Sequence, residues 1–152
     1  MKVGIIDAEI IGKKKHRFPN LACMKISSFY KSRGNDVDLI TDYKNLYYDG
    51  NIWTEYQIAL SNYVKKANFE TKANVETSET LGKCMVKCFD TQNIKYDRIF
   101  ISKVFTDTPV PEWLTETEKV HIGGTGFFFD RAPNLPDEIE HHMPDYRLYD
   151  GW

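Results

Sequence analysis

The sequence predicts an α/β protein, an open, mostly parallel sheet of four or five strands with flanking helices and one inserted segment. Three observations lead there. Short β-favouring runs recur at residues 3–6, 37–40, 99–101 and 120–122, and an unbroken apolar run such as Ile99–Ile101 suits a strand covered on both faces. The first three run straight into polar residues, Asp7, Thr41-Asp42 and Ser102-Lys103, which is how open α/β sheets build sites at their carboxyl edge. A helical pattern stands between the first two runs, and strand–helix–strand order implies a right-handed parallel crossover.

The elements follow in order. The strand at 3–6 closes on Asp7, and a basic run, Lys13-Lys14-Lys15-His16-Arg17, comes after it. Asn20 is a suitable N-cap for a helix whose Ala22, Ile26, Phe29 and Tyr30 form one apolar face. Lys31 and Arg33 suit its C-terminus, and Gly34 supplies the stop before the second strand. Residues 45–93 then break the rhythm. Ile52, Tyr56, Leu60 and Val64 predict a helix over 52–66, while the polar stretch 69–80 reads as loop or a marginal hairpin. For 81–89, strand and helix both stay open. This stretch is long for a connection, where about 4–6 residues is usual, so it reads as an insertion with structure of its own.

After the strand at 99–101, Thr106-Asp107-Thr108-Pro109-Val110-Pro111 cannot extend the sheet, because proline removes donors. A helical turn is expected at Glu112-Trp113-Leu114. The strand at 120–122 enters Gly123-Gly124-Thr125-Gly126, followed by a strand or aromatic turn at 127–130. From 131 to 152 the pattern is irregular. The chain thus reads as one domain over 1–152, with 45–93 inserted and 131–152 a tail.

Composition excludes several classes. The 152 residues carry 22 Asp and Glu against 20 Lys and Arg, a formal net charge of −2, which argues against a general nucleic-acid binder. No apolar run approaches the ~20 residues that span a membrane, and the N-terminus reads as a strand and not as a signal peptide. Three cysteines are an odd number, so reduced thiols and a cytoplasmic setting are expected.

Val3-Gly4-Ile5-Ile6-Asp7, Arg17-Phe18-Pro19-Asn20-Leu21-Ala22 and the helix closing on Gly34 resemble a cobalamin-binding-type, Rossmann/flavodoxin-like domain found at the N-terminus of many radical SAM proteins. The stretches 101–109 and 123–130, with Leu135-Pro136-Asp137-Glu138-Ile139-Glu140-His141-His142-Met143-Pro144-Asp145-Tyr146, resemble one bacterial subgroup of uncharacterised radical SAM proteins. The resemblance covers roughly the first and last thirds of the chain. It implies a binding domain that works beside a catalytic SAM barrel, which this sequence lacks. The Asp-x-His-x-x-Gly sequence that supplies a cobalt ligand is absent, so cobalamin would be held without a protein histidine. An iron–sulfur cluster of this type needs Cys-x3-Cys-x2-Cys. Cys84 and Cys88 have the first spacing, but position 91 is Thr91, so no cluster is expected.

The expected ligand site is the carboxyl edge, drawn from Asp7, Lys13, Lys14, Lys15, His16, Arg17, Ser102, Lys103, Thr106, Asp107, Thr108, Gly123, Gly124, Thr125 and Gly126. The basic run reads either as a site for an anionic small molecule or acidic partner, or as a solvated loop. The glycine turn reads either as a phosphate cradle or as close backbone packing, and it lacks the G-x-G-x-x-G and P-loop patterns. Glu138 and His141 share a helical face, but a metal site needs more ligands than this tail supplies. Two functions are carried forward: a non-catalytic ligand- or partner-binding module, whose partner could be a separate SAM barrel, and a phage- or mobile-element-encoded interaction or inhibitor protein acting through the insertion. A small enzyme using Asp107 and Lys103 is a third reading.

Overall fold

In the computed structural model, β1 (Lys2–Asp7) is buried from Val3 onward, because it has a parallel neighbour on each side and is covered on both faces. Residues 1–11, 19–69, 75–128 and 134–150 are described, with the backbone alone at 67–69, 75 and 125. β1 pairs with β2 (Asp36–Leu39) and β3 (Arg98–Ser102), and β3 pairs with β4 (Val120–Gly123). The four strands are parallel in the order β2-β1-β3-β4, a Rossmann-like open α/β sheet. The chain leaves β1 in one direction and returns on its other side, so β1 and β3 flank the topological switch point. Their register sets Asp7 opposite Ser102.

Alternation along the strands sends Val3 and Ile5, with Val37, Leu39 and Phe100, to one face. There α1 (Leu21–Ser32) packs Cys23, Met24, Ile26, Phe29 and Tyr30 against them. Burying each large apolar side chain contributes about 1.5–3 kcal/mol, so this layer carries much of the fold's stability. Asn20 caps α1 as its sequence position predicts, its Oδ1 accepting the Cys23 N–H at 3.2 Å. Gly34, at φ 81°, lies just past the helix end.

The tail has more structure than its irregular pattern suggests. One helical turn, at Asp137–Glu140, and turns over 145–150 lie against α1, burying Ile139 and Leu148 in the same core. Polar pairing, and not periodicity, holds it there. Lys25 Nζ meets Glu140 Oε1 at 2.8 Å and Lys31 Nζ meets Asp145 Oδ2 at 2.6 Å. Ser27 Oγ donates to the same Asp145 oxygen at 2.8 Å, and Met24 O accepts the Asp145 N–H. His142 Nδ1 lies 2.9 Å from Ser28 Oγ, and Glu138 stands 3.7 Å from Arg33. Among the described residues no group of His, Cys, Asp and Glu is placed to hold a metal.

Residues 43–95 pack as a compact unit of their own, and 1–42 with 96–152 form the other. In the inserted unit, a 3-10 turn at Tyr43–Leu46 leads to α2 (Asn51–Phe69) and α3 (Val75–Phe89). An antiparallel bridge, Tyr47 to Ile94, joins its two ends. Tyr43, Trp53 and Tyr56 form an aromatic cluster, and burial pushes the Tyr43 hydroxyl up to about 12. The helix over 75–80 corrects the expected loop or hairpin, and 81–89 resolves as helix. α3 packs along α2, and tertiary packing of this kind overrides the weak helix propensity of threonine. No helix among the described residues is long and apolar enough to cross a membrane. Beyond β3 lie the helical turns α4 (Glu112–Thr115) and α5 (Thr125–Phe128); the strand or aromatic turn expected at 127–130 is helical at 127–128, and 129–130 lie outside the described residues.

Although burial alone would raise Asp145, its Lys31 and Ser27 partners hold its carboxyl below the ordinary 3.8. A lowered native value means that stability is present above the ordinary value and is lost as pH falls through the lowered one. Asp145→Asn is therefore expected to cost about 1–3 kcal/mol near neutral pH. Urea unfolding should show the gap from wild type closing as pH drops below 3.8.

Candidate functional site

The carboxyl ends of β1 and β3 form a hydrogen-bonded group that ties distant parts of the chain together. Asp7 is fully buried. Its Oδ1 accepts the Glu9 N–H at 3.1 Å, and its Oδ2 accepts the Tyr149 hydroxyl at 2.7 Å. Tyr149 in turn accepts the Asn20 N–H at 3.2 Å, and Asn20 Nδ2 donates to Ser102 Oγ at 2.7 Å. Burial, then Cys23 and Asp7, raise the Tyr149 hydroxyl far above its ordinary 10.0, so it stays a proton donor. Burial and the charge of Asp7 also push the Cys23 thiol up, which makes Cys23 a core side chain and not a nucleophile.

Glu9, only 4% exposed, organises the loop after β3. Its Oε1 accepts the backbone N–H groups of Val104 and Phe105 at 3.0 and 3.2 Å, and its Oε2 accepts the Thr108 hydroxyl at 2.6 Å. A buried carboxylate satisfied by two amides and a hydroxyl holds the loop in one conformation. Lys103 Nζ lies 4.6 Å from the centre of the Phe127 ring and donates to Thr106 O at 3.3 Å.

The glycine turn packs on this loop. Gly126 N–H donates to Lys103 O at 2.7 Å, and Lys103 N–H donates to Gly123 O at 3.1 Å. A Cβ on Gly124, whose φ is 96°, would collide with that same Lys103 carbonyl. A Cβ on Gly126 would stand 2.6 Å from Lys103 Cγ. These positions need glycine for close approach of two backbones, and the Gly126 amide is taken up by the Lys103 carbonyl.

Beside this edge, on the α1 side of the sheet, lies a groove of ≈ 800 Å³. Its floor is the outward row of β3, Arg98, Phe100 and Ser102, with His121 of β4 alongside. Tyr30 and Ile26 of α1 form one wall, and Leu135 and Ile139 of the tail contribute to the lining. Gly123, Gly124 and Asn20 stand at its carboxyl-edge end.

The structure thus brings Asp7, Ser102, Lys103, Thr108, Gly123, Gly124 and Gly126 to one edge. Asp7 and Thr108 are committed to protein partners, and Thr106 and Asp107 are exposed on the loop. The backbone of Thr125 opens α5. Lys13, Lys14, Lys15, His16 and Arg17 lie outside the described residues. Sequence reasoning missed Glu9, Tyr149 and the groove's Tyr30, Arg98, Phe100 and His121. The alternation Arg98-x-Phe100-x-Ser102 was the available signal, since it places three chemically active side chains on one face. Comparison with protein-family models, curated proteins and solved structures finds no match for this chain.

Glu9→Ala is expected to lower stability by about 1.5–3 kcal/mol, because two amides and a hydroxyl lose a charged acceptor. Hydrogen exchange should quicken at Val104 and Phe105. Unchanged exchange at those two amides would contradict the role given to Glu9.

Proposed function

We propose that this protein is a non-catalytic binding module that takes a small ligand in the groove beside the carboxyl edge. The groove itself carries this reading. One end of it, at Asn20, Ser102, Gly123 and Gly124, reaches the carboxyl ends of β3 and β4, the edge at which open α/β sheets bind ligands, and its ≈ 800 Å³ suits a small organic ligand. The residues at the edge also support binding over catalysis. Asp7 and Glu9 are saturated by structural hydrogen bonds, and Cys23 is held as a neutral thiol.

Cobalamin is the ligand implied by the resemblance to radical SAM-associated domains. Of the described imidazoles, His121 lines the groove floor with its ring stacked on Phe100, and His141 and His142 follow the tail's helical turn, His142 engaged by Ser28. The sequence lacks the Asp-x-His-x-x-Gly pattern, so a corrinoid here would be held by shape and hydrogen bonding, with no ligand to cobalt from that motif. Titration with hydroxocobalamin, followed by its absorbance and by thermal shift, is expected to saturate. Ile139→Trp, which fills the groove, should weaken that binding by about tenfold or more. Absence of any spectral or thermal change would remove cobalamin as the ligand.

A second reading, an interaction protein acting through residues 43–95, is supported by Ile58, Val64, Val86 and Phe89, all exposed on α2 and α3.

A further inference from the structure

We infer that the groove selects a flat aromatic or heteroaromatic ligand carrying an anionic group, its ring on Phe100 and His121 and its acid on Arg98. This rests on the reading of the groove as the ligand site and names, beside the corrinoid that the resemblance implies, the ligand chemistry that the groove's own side chains select.

The floor provides the platform. Phe100 and His121 are direct partners across β3 and β4, their rings stacked with centroids 5.1 Å apart and planes at 23°. Tyr30 adds a third ring, 5.4 Å from Phe100. Phe100 is partly buried and His121 exposed, although both lie within strands. A partly open stack in a groove favours a planar π-system, which gains offset stacking beyond simple burial. An aliphatic ligand would gain the burial alone.

The charge comes from the same row. Arg98 stands two residues before Phe100, so its side chain leaves the same face of β3, about 7 Å along the strand. Its Nη1 donates to the Tyr30 hydroxyl at 3.0 Å, which aims the guanidinium. That bond uses one of five N–H donors. Among the described residues Arg98 makes no ion pair, whereas Lys25, the other cation lining the groove, is held by Glu140 at 2.8 Å. A guanidinium aimed by a tyrosine and lacking a carboxylate is suited to bidentate recognition of a carboxylate, sulfonate or phosphate. The remaining polar pair, Ser102 with Asn20, lies about 13 Å from Arg98 along the strand. The groove therefore orients its ligand with the acid toward the amino end of β3 and the ring near its middle.

Two probes of similar shape and different charge test this. They are 8-anilinonaphthalene-1-sulfonate, an aromatic anion, and N-phenyl-1-naphthylamine, its neutral counterpart, each titrated by fluorescence into folded full-length protein. The anion should bind saturably at one site and more tightly than the neutral dye. Arg98→Gln should weaken the anion by about tenfold and leave the neutral dye within about twofold. His121→Ala should weaken both. Circular dichroism and thermal melts of each variant confirm that the fold is retained. If neither dye binds saturably, the groove is not a ligand site, and both this inference and the reading beneath it fall. If both dyes bind and Arg98→Gln weakens them equally or not at all, the anionic selectivity is overturned while the ligand site stands.

Discussion

A buried carboxylate at the end of β1 constrains the rest of the molecule. Asp7 has no exposed surface, and a charge removed from water is tolerated only where donors surround it. One donor is local, the Glu9 N–H, which bends the chain out of the strand. The other is the hydroxyl of Tyr149, 142 positions away. Meeting that requirement brings the tail across α1, where Ile139 and Leu148 join the core and Asp145 finds Lys31 and Ser27. Asn20 links the same group to Ser102 while capping α1. A single electrostatic requirement thus couples β1, α1, β3 and the C-terminal segment.

The same network decides where a ligand can be held. Protein donors occupy Asp7, the loop after β3 is fixed by Glu9, and the glycine turn is packed on the Lys103 backbone. What the edge leaves for a ligand is the groove next to it, where the outward row of β3 and His121 present rings and a guanidinium without a carboxylate partner among the described residues. Structural saturation at the strand ends and chemical availability along the sheet face arise from one arrangement.

Much of the fold was legible because its signals are local. Four β-favouring runs became four parallel strands, and Asn20 and Gly34 bracket α1 as cap and stop. The convergence of Asp7 and Ser102 also followed from strand ends alone, since neighbouring parallel strands bring their carboxyl ends together. The tail was not legible. Its order comes from pairs such as Lys25–Glu140 and Ser27–Asp145, more than a hundred positions apart, and no periodicity announces them. Helix α3 was hidden for a related reason, its threonines being weak helix formers in a helix that packs on α2. Glu9 gave no sign of its role, because an acid just past a strand reads as an ordinary surface residue until its three donors are in place.

The coupling between Asp7 and Tyr149 tests this account most directly. A double-mutant cycle of Asp7→Asn and Tyr149→Phe, measured by urea unfolding, should yield an interaction free energy of about 1–3 kcal/mol. The double variant should then be scarcely less stable than the worse single one. Effects that add to within about 0.5 kcal/mol would show that the two groups act independently, and would contradict the claim that Asp7 holds the tail on the sheet.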